Sequence, residues 1–216
     1  MADSSITICN RALALLGSSS FIASLDEESA QAKQCNIQYE PARKQVLEDF
    51  DWPFAGTFVT LTEYGTAPNQ WGYQYMYPTD CIKAREICFG TRVADPPPFR
   101  VGNLREDGNN RRVIWTDVED AQLYYTFDFE TVPFMPQTFQ EVLAAKLAYT
   151  IALPLTRKER LQTAMANYYG AMLAHAQVLA GNEGEEDVNE RKATWHEQRN
   201  AGYDLADLPS VIDPNP

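Results

Sequence analysis

Paired carboxylates are the residues of this sequence whose type and spacing could do chemistry. Asp117 and Glu119 form one such pair, and Asp128 and Glu130 form another. Most glycoside hydrolases use two carboxyl groups, one as the acid and one as the base or nucleophile. Both pairs fall at the ends of predicted strands, however, where acidic side chains are usually only solvated. A glycan hydrolase is therefore the alternative prediction and not the main one.

Other reactive groups are sparse. The two histidines, His175 and His196, have no partner at metal-binding spacing, and no GxSxG, GxGxxG or P-loop string occurs. The cysteines lie within or beside apolar patterns and have no CxxC spacing, namely Cys9, Cys35, Cys81 and Cys88. This pattern predicts reduced thiols and synthesis in the cytoplasm. We expect no catalytic residue, no cofactor and no metal.

An aromatic stretch, NQWGYQYMYP at residues 69–78, offers a second alternative. Trp71 and Tyr73 could stack on a sugar or a peptide, as in a glycan-binding module. In a chain with 11 tyrosines, packing on a small sheet is the more ordinary interpretation.

The overall charge narrows the possible partners. The chain has 216 residues and 30 acidic against 18 basic side chains, which gives a net charge of −12. Such a balance disfavours a surface that binds nucleic acid through phosphate contacts. No apolar run approaches the roughly 18 residues that a membrane span needs, so we expect no membrane span.

The first helical half covers residues 1–54. The first predicted helix is capped by Asp3 or Ser4, ends at Gly17 and carries an apolar stripe, which is Ile6, Cys9, Leu13 and Leu16. The second begins at a capping box of Ser24 and Glu27, with Asp26 as a rival cap. Its stripe is Ala32, Cys35, Tyr39, Ala42, Val46 and Phe50. Pro41 predicts a kink within it.

Residues 55–133 contain short β-branched and aromatic runs separated by turn residues, which predicts an antiparallel sheet. Asp107 and Gly108 lie at a predicted hairpin tip. A second helical half follows at 134–181. Its first helix is expected to end at Pro154. The apolar stripe of that helix is Phe139, Leu143, Leu147 or Ala148, and Ile151. Its second opens at a capping box from Thr156 to Glu159 and has a stripe of Leu161, Met165, Tyr168, Met172, Ala176 and Leu179.

These elements predict an α+β, mainly helical fold. We expect a four-helix body with one small antiparallel sheet inserted between the helical halves. Residues 182–216 hold nine acidic and three basic side chains, a net charge of −6, and predict an extended C-terminal arm. Trp195, Arg199 and Tyr203 are its candidate docking residues.

The stretch FDWPFA, residues 50–55, stands where the second helix should end. Pro53 has no amide hydrogen and disfavours helical backbone at Trp52. The pattern predicts a structural joint of Phe50, Trp52, Pro53 and Phe54, in which the aromatic rings pack between the helices and the first strand.

The order of these features resembles the head-to-tail adaptors of tailed bacteriophages, the tail tubular protein A family. The resemblance runs from about residue 5 to residue 180 and consists of six short elements in one order. They are Leu16–Gly17, Leu25–Asp26, Tyr39 with Arg43 and Leu47, Trp52 with Phe54 and Ala55, Tyr77 with Pro78 and Asp80, and Leu147–Thr156. Pro41 departs from the pattern, and the arm matches it only through TWHEQR, residues 194–199.

The resemblance implies a structural virion protein and not an enzyme. Members of the family form a ring, typically of twelve copies, between the portal protein and the tail nozzle or tube, and the genome passes through the ring without specific binding. In such a ring, we expect the arm to dock on the portal or a neighbouring copy. Trp71, Tyr73, Asp107 and Gly108 are the candidate tail-side or inter-subunit loops.

Overall fold

A computed structural model of the protein describes residues 4–68, 70–88, 96–106 and 108–183, with side chains up to residue 180. The four helices are α1 (Ser5–Leu15), α2 (Ala30–Asp49), α3 (Gln137–Thr156) and α4 (Glu159–Glu183). The six strands are β1 (Gly56–Thr60), β2 (Tyr73–Met76), β3 (Cys81–Cys88), β4 (Phe99–Glu106), β5 (Asn109–Thr116) and β6 (Gln122–Phe127). Short 3-10 turns, Pro53–Ala55 and Val132–Phe134, flank the strands.

Local signals set the ends of the first two helices. Ser4 caps α1 by accepting a hydrogen bond from the backbone N–H of Thr7, and Gly17 follows it with φ of +72°. The expected start of α2 at Ser24 was wrong, because the Glu27 carboxylate accepts the backbone N–H groups of residues 23 and 24 in a turn before the helix. The cap of α2 is Ser29.

Proline lies inside two of the helices. Pro41 lies within α2, and Pro154 lies within α3, which does not end there as expected. The helix runs two residues further and closes with a bond from the backbone N–H of Arg157 to the carbonyl of Leu153 at 2.9 Å. Thr156 does not cap α4, because its hydroxyl donates to the carbonyl of residue 152 within α3.

The strands form two antiparallel sheets and not the single sheet that we expected. One sheet has the order β1-β6-β3 and the other has the order β2-β5-β4. The hairpin of β4 and β5 is present, with Gly108 at φ of +78°, while Asp107 lies outside the described residues. The segment with Tyr73, which was not assigned to a strand, forms β2 against β5.

The expected sheet between two helical halves was also wrong. Helices α1, α2 and α3 pack directly on one another around one hydrophobic cluster, which includes Leu13, Val46, Phe139 and Leu143. The reason is the composition of α3, which is buried around most of its circumference and therefore needs helices on several sides. A second cluster, with Tyr75, Ile114 and Leu123, lies among the strands.

Helix α4 packs with a different face from the one predicted. Met165, Met172 and Ala176 face the helical cluster as expected, but Tyr168 and Leu179 are exposed. Tyr169 and Leu173 contact the cluster in their place. The packed face of α4 is therefore rotated by about one residue from the predicted face. On the packed side, the hydroxyl of Tyr169 donates to the Asp49 carboxylate at 2.6 Å.

Candidate functional site

The predicted acidic pair after β6 holds a buried arginine. Arg43 on α2 is 3% exposed and donates to the Asp128 carboxylate and, at 2.7 Å, to the carbonyl of Phe129. Glu130 lies 3.5 Å from the same guanidinium, and Lys44 lies 3.5 Å from Asp128. These ion pairs tie α2 to the chain after β6, so Asp128 and Glu130 have a structural role in this geometry.

The other acidic pair lies beside β2. The carboxylate of Asp117 accepts the backbone N–H of Gly72 at 2.8 Å and fixes the turn that leads into the strand. Tyr73 belongs to β2, where its ring stacks on that of Tyr75, and Trp71 lies in the preceding loop, partly exposed. The aromatic stretch therefore packs on the sheet at Tyr73.

The FDWPFA joint is an aromatic cluster between the helices and the strands. Trp52 is 2% exposed and donates from Nε1 to the carbonyl of Val46 at 2.8 Å. The ring of Phe139 lies 4.9 Å from that of Trp52 and 5.0 Å from that of Phe54, and Phe50 packs edge-on against Trp52. Pro53 opens the 3-10 turn that leads to β1. Trp52 is thus packed inward, Phe50 and Phe54 are partly buried against the same cluster, and Pro53 is exposed.

A buried lysine lies where α2, α3 and α4 meet, and the sequence did not reveal it. The Nζ of Lys146 lies 4.0 Å from the Asp49 carboxylate and 4.7 Å from the centre of the Tyr169 ring. Burial lowers the pKa of Lys146, and Asp49 opposes this effect. Burial, followed by the hydrogen bond to Asp49, raises the pKa of Tyr169. The cluster holds α4 on the body.

The opposite side of α4 forms an exposed surface without charge, here called the outer face of α4. Its members recur at alternating steps of four and three and are Ala164, Tyr168, Ala171, His175 and Val178. Val178 is 66% exposed and Tyr168 is 39% exposed. No Asp, Glu, Lys or Arg occurs from residue 161 to residue 182. A surface helix normally carries charges on its solvent side, so this face is suited to contact another protein.

A basic groove lies at the turn between α3 and α4. Arg157, Lys158, Glu159 and Arg160 line it together with Leu16, Leu161 and Ala164, and the open space is about 830 Å³. Arg157 adopts left-handed backbone, with φ of +56°. Among the residues that the structure describes, no carboxylate forms a salt bridge with these three cations. The groove therefore presents three cations beside the carboxylate of Glu159.

Two kinds of site are absent from the described part of the chain. Within residues 4–68, 70–88, 96–106 and 108–183, no three His, Cys, Asp or Glu side chains lie together as metal ligands would. Over the same ranges, no helix combines the length and the apolar character that crossing a membrane requires.

The predicted site residues are not brought together into one place. Trp52 of the joint lies in the core, Tyr73 lies on β2, and Gly108 lies at the β4–β5 hairpin tip. Trp195, Arg199 and Tyr203 lie outside the described residues. The outer face of α4 was missed, although the long interval without charge was visible in the sequence.

Comparison with known proteins adds no assignment. No family model matches the chain, and no curated protein sequence matches it either. The likeness to head-to-tail adaptors therefore stays a prediction that depends on the order of features along this chain.

Proposed function

We propose that this protein is a structural virion protein, the head-to-tail adaptor of a tailed bacteriophage. In this proposal several copies, twelve by the resemblance, form a ring in the neck of the virion. The ring joins the portal to the tail nozzle or tube, and the genome passes through its lumen.

The observation that carries the proposal is the outer face of α4. Copies with a net charge of −12 repel one another, so a contact between them is favoured where the surface has no charge. Tyr168 and Val178 offer apolar area on such a surface. A ring needs heterologous contacts, in which this face meets a different patch of the next copy.

The acidic composition supports a passage for DNA. A lining with many phosphate contacts would hold the genome tightly and slow its movement, whereas an acidic protein avoids such contacts. Specific DNA binding is accordingly not part of the proposed function.

Assembly with the portal protein of the same phage tests the proposal. We expect negative-stain images of the mixture to show a ring bound to the portal, and a mixture without rings or complexes would contradict the adaptor function. Val178→Glu should prevent ring formation because it places a charge on the outer face of α4.

Ile37→Glu is the matched control, since Ile37 is also an aliphatic residue on a helix and is 62% exposed against 66% for Val178. Both variants should keep the far-UV circular dichroism of the wild type. If Val178→Glu assembles as well as Ile37→Glu, the outer face of α4 is not the contact.

A further inference from the structure

Two aromatic residues stack on the outer surface of the sheet with β1, β6 and β3. Phe58 on β1 lies opposite Tyr124 on β6, and the centres of their rings are 4.5 Å apart. Their neighbours along the strands, Val59 and Leu123, point to the other side and pack in the strand cluster. Phe58 is 62% exposed, and Tyr124 is partly exposed. Single apolar side chains are common on protein surfaces, whereas a stacked pair marks a candidate contact.

The Phe58–Tyr124 pair is held in a fixed position. Arg85 donates from Nη1 to the hydroxyl of Tyr124 at 2.9 Å, and its guanidinium carbon lies 4.9 Å from the centre of that ring. Gly56 allows the ring to lie close to β1, since a Cβ there would be 2.2 Å from the Tyr124 hydroxyl oxygen. A surface that is ordered before binding loses less conformational entropy when a partner docks on it.

The two strands that carry the pair have no charge. No Asp, Glu, Lys or Arg occurs from residue 53 to residue 62 or from residue 121 to residue 127. The charges of this sheet lie on β3, where Glu86 is opposite the tyrosine of the pair and is accompanied by two cations, Lys83 and Arg85. The uncharged surface is therefore the part of the sheet formed by β1 and β6.

We propose that the Phe58–Tyr124 pair of one copy binds the outer face of α4 of the next copy. The inference rests on the proposed function, because it assigns the patch that the outer face of α4 meets in the ring. Copies with a net charge of −12 repel one another, and a contact that is uncharged on both sides brings no like charges together. The two surfaces differ, as a heterologous contact requires.

The shapes of the two surfaces also fit each other. On the outer face of α4, Ala171 is small and exposed, and Gly170 beside it has open space where a Cβ would lie. Both lie between the larger side chains of Tyr168 and His175 along the helix. The ring of Phe58, which projects from the flat surface of the sheet, can enter this low point of the helix surface.

Opposite charges placed on the two surfaces test the contact. Phe58→Glu and Val178→Lys should each lower self-association about tenfold or more, because each puts an unpaired charge into an apolar contact. Analytical ultracentrifugation measures this for each variant alone and with the portal. Phe134→Glu is the control and should associate like the wild type, since Phe134 is more exposed than Phe58 and lies in the turn before α3.

An equal mixture of Phe58→Glu and Val178→Lys tests the pairing itself. It should assemble, because each contact in an alternating ring is either the new charge pair or the wild-type pair, and its assembly shows that both variants are folded. A mixture of Phe134→Glu and Val178→Lys has the same total charge but should not assemble. If Phe58→Glu loses the far-UV circular dichroism of the wild type, Phe58→Ser replaces it, and its association should also fall.

The outcomes separate the contact from the adaptor function. If the wild type forms a ring on the portal and folded Phe58→Glu or Phe58→Ser does so equally well, the contact is overturned and the adaptor function stands. If a Phe58 variant self-associates normally but no longer binds the portal, the pair contacts the portal, and the contact between copies is overturned. If the swapped mixture assembles but no preparation binds the portal, the contact stands and the adaptor function is overturned.

Discussion

The guanidinium group of Arg85 donates from Nη2 to the carbonyl oxygen of Trp52 at 2.8 Å and thereby ties β3 to the turn after α2. Its other nitrogens donate to the hydroxyl groups of Thr126 and Tyr124, both at 2.9 Å. The Arg85 side chain is 8% exposed. One side chain thus holds the sheet with β1, β6 and β3 against the aromatic joint.

Replacing Arg85 by Met should lower the free energy of unfolding by about 2–3 kcal/mol, because three hydrogen bonds from a charged group are lost and the Trp52 carbonyl loses its partner. Urea unfolding followed by circular dichroism measures the change. Lys83→Met is the control, since Lys83 also lies on β3 and pairs with Asp51 but is 40% exposed. It should cost less than about 1 kcal/mol. Equal losses in the two variants would contradict a specific role for Arg85.

Trp52 should be among the residues most sensitive to truncation. Trp52→Ala removes a buried ring from contact with Phe139 and should cost about 3–5 kcal/mol. Trp52→Phe keeps much of the packing but removes the donor to the Val46 carbonyl, so a loss of about 1–3 kcal/mol is expected. Thermal and urea unfolding of the two variants would show which of them loses more stability. Trp71→Ala is the control, because Trp71 lies in a loop and is partly exposed, and it should cost under about 1 kcal/mol. If Trp52→Ala cost no more than that, the Trp52 ring would not have a structural role.

Two glycines should respond to alanine with opposite signs. A Cβ at Gly102 would lie 2.3 Å from the ring of Trp115, which is held in place by a bond to Gln74. Gly102→Ala should therefore destabilise the protein by about 1–3 kcal/mol. Gly170 lies inside α4 with no atom within 4 Å of such a Cβ. Gly170→Ala should stabilise the protein by about 1 kcal/mol. Differential scanning calorimetry measures both changes, and a stabilising Gly102→Ala or a destabilising Gly170→Ala would contradict the prediction.

The buried Lys146 should give the protein a measurable pH dependence. Because burial lowers its pKa in the folded state, the unfolded chain binds more protons between the folded pKa and the ordinary lysine value. Stability relative to Lys146→Met should therefore rise as the pH increases through that window. Urea unfolding of both proteins at pH 7 and about pH 9.5 measures the difference, with effects of other groups cancelling between them. A difference that does not change with pH would show that the folded pKa of Lys146 is not lowered.

Local features of the fold were predictable from the sequence. The Ser4 cap, Gly17 and the hairpin at Gly108 depend on neighbouring residues alone, and the positions of β1, β3, β4, β5 and β6 followed from β-branched and aromatic runs. The Ser29 cap of α2 and strand β2 were not predicted. The pairing was not predictable, because β6 lies between β1 and β3 through contacts distant in sequence. The face of α4 was ambiguous for a related reason. Tyr168 and Tyr169 are consecutive and alike, and only the position of Asp49 in the folded protein selects Tyr169.

The role of the paired carboxylates was also not predictable from neighbouring residues. Their spacing at Asp128 and Glu130 suggested acid chemistry, but the partner that defines their role is Arg43, on a helix about eighty residues earlier. Arg43 was visible only as one element of the family resemblance. A buried arginine between two acids has no signature in local spacing.

The separation of the hydrophobic residues into two clusters bears on how the chain loses its structure. Trp52 belongs to the helical cluster, and Trp115 lies on β5 beside the strands of the other. Trp52 and Trp115 therefore lie in different regions, and variants that keep only one of the four tryptophans can report on each region separately. The Arg85 bond and the ion pairs of Arg43 connect the helices to the strand region, so these contacts bear on whether the chain melts as one cooperative unit or in two steps.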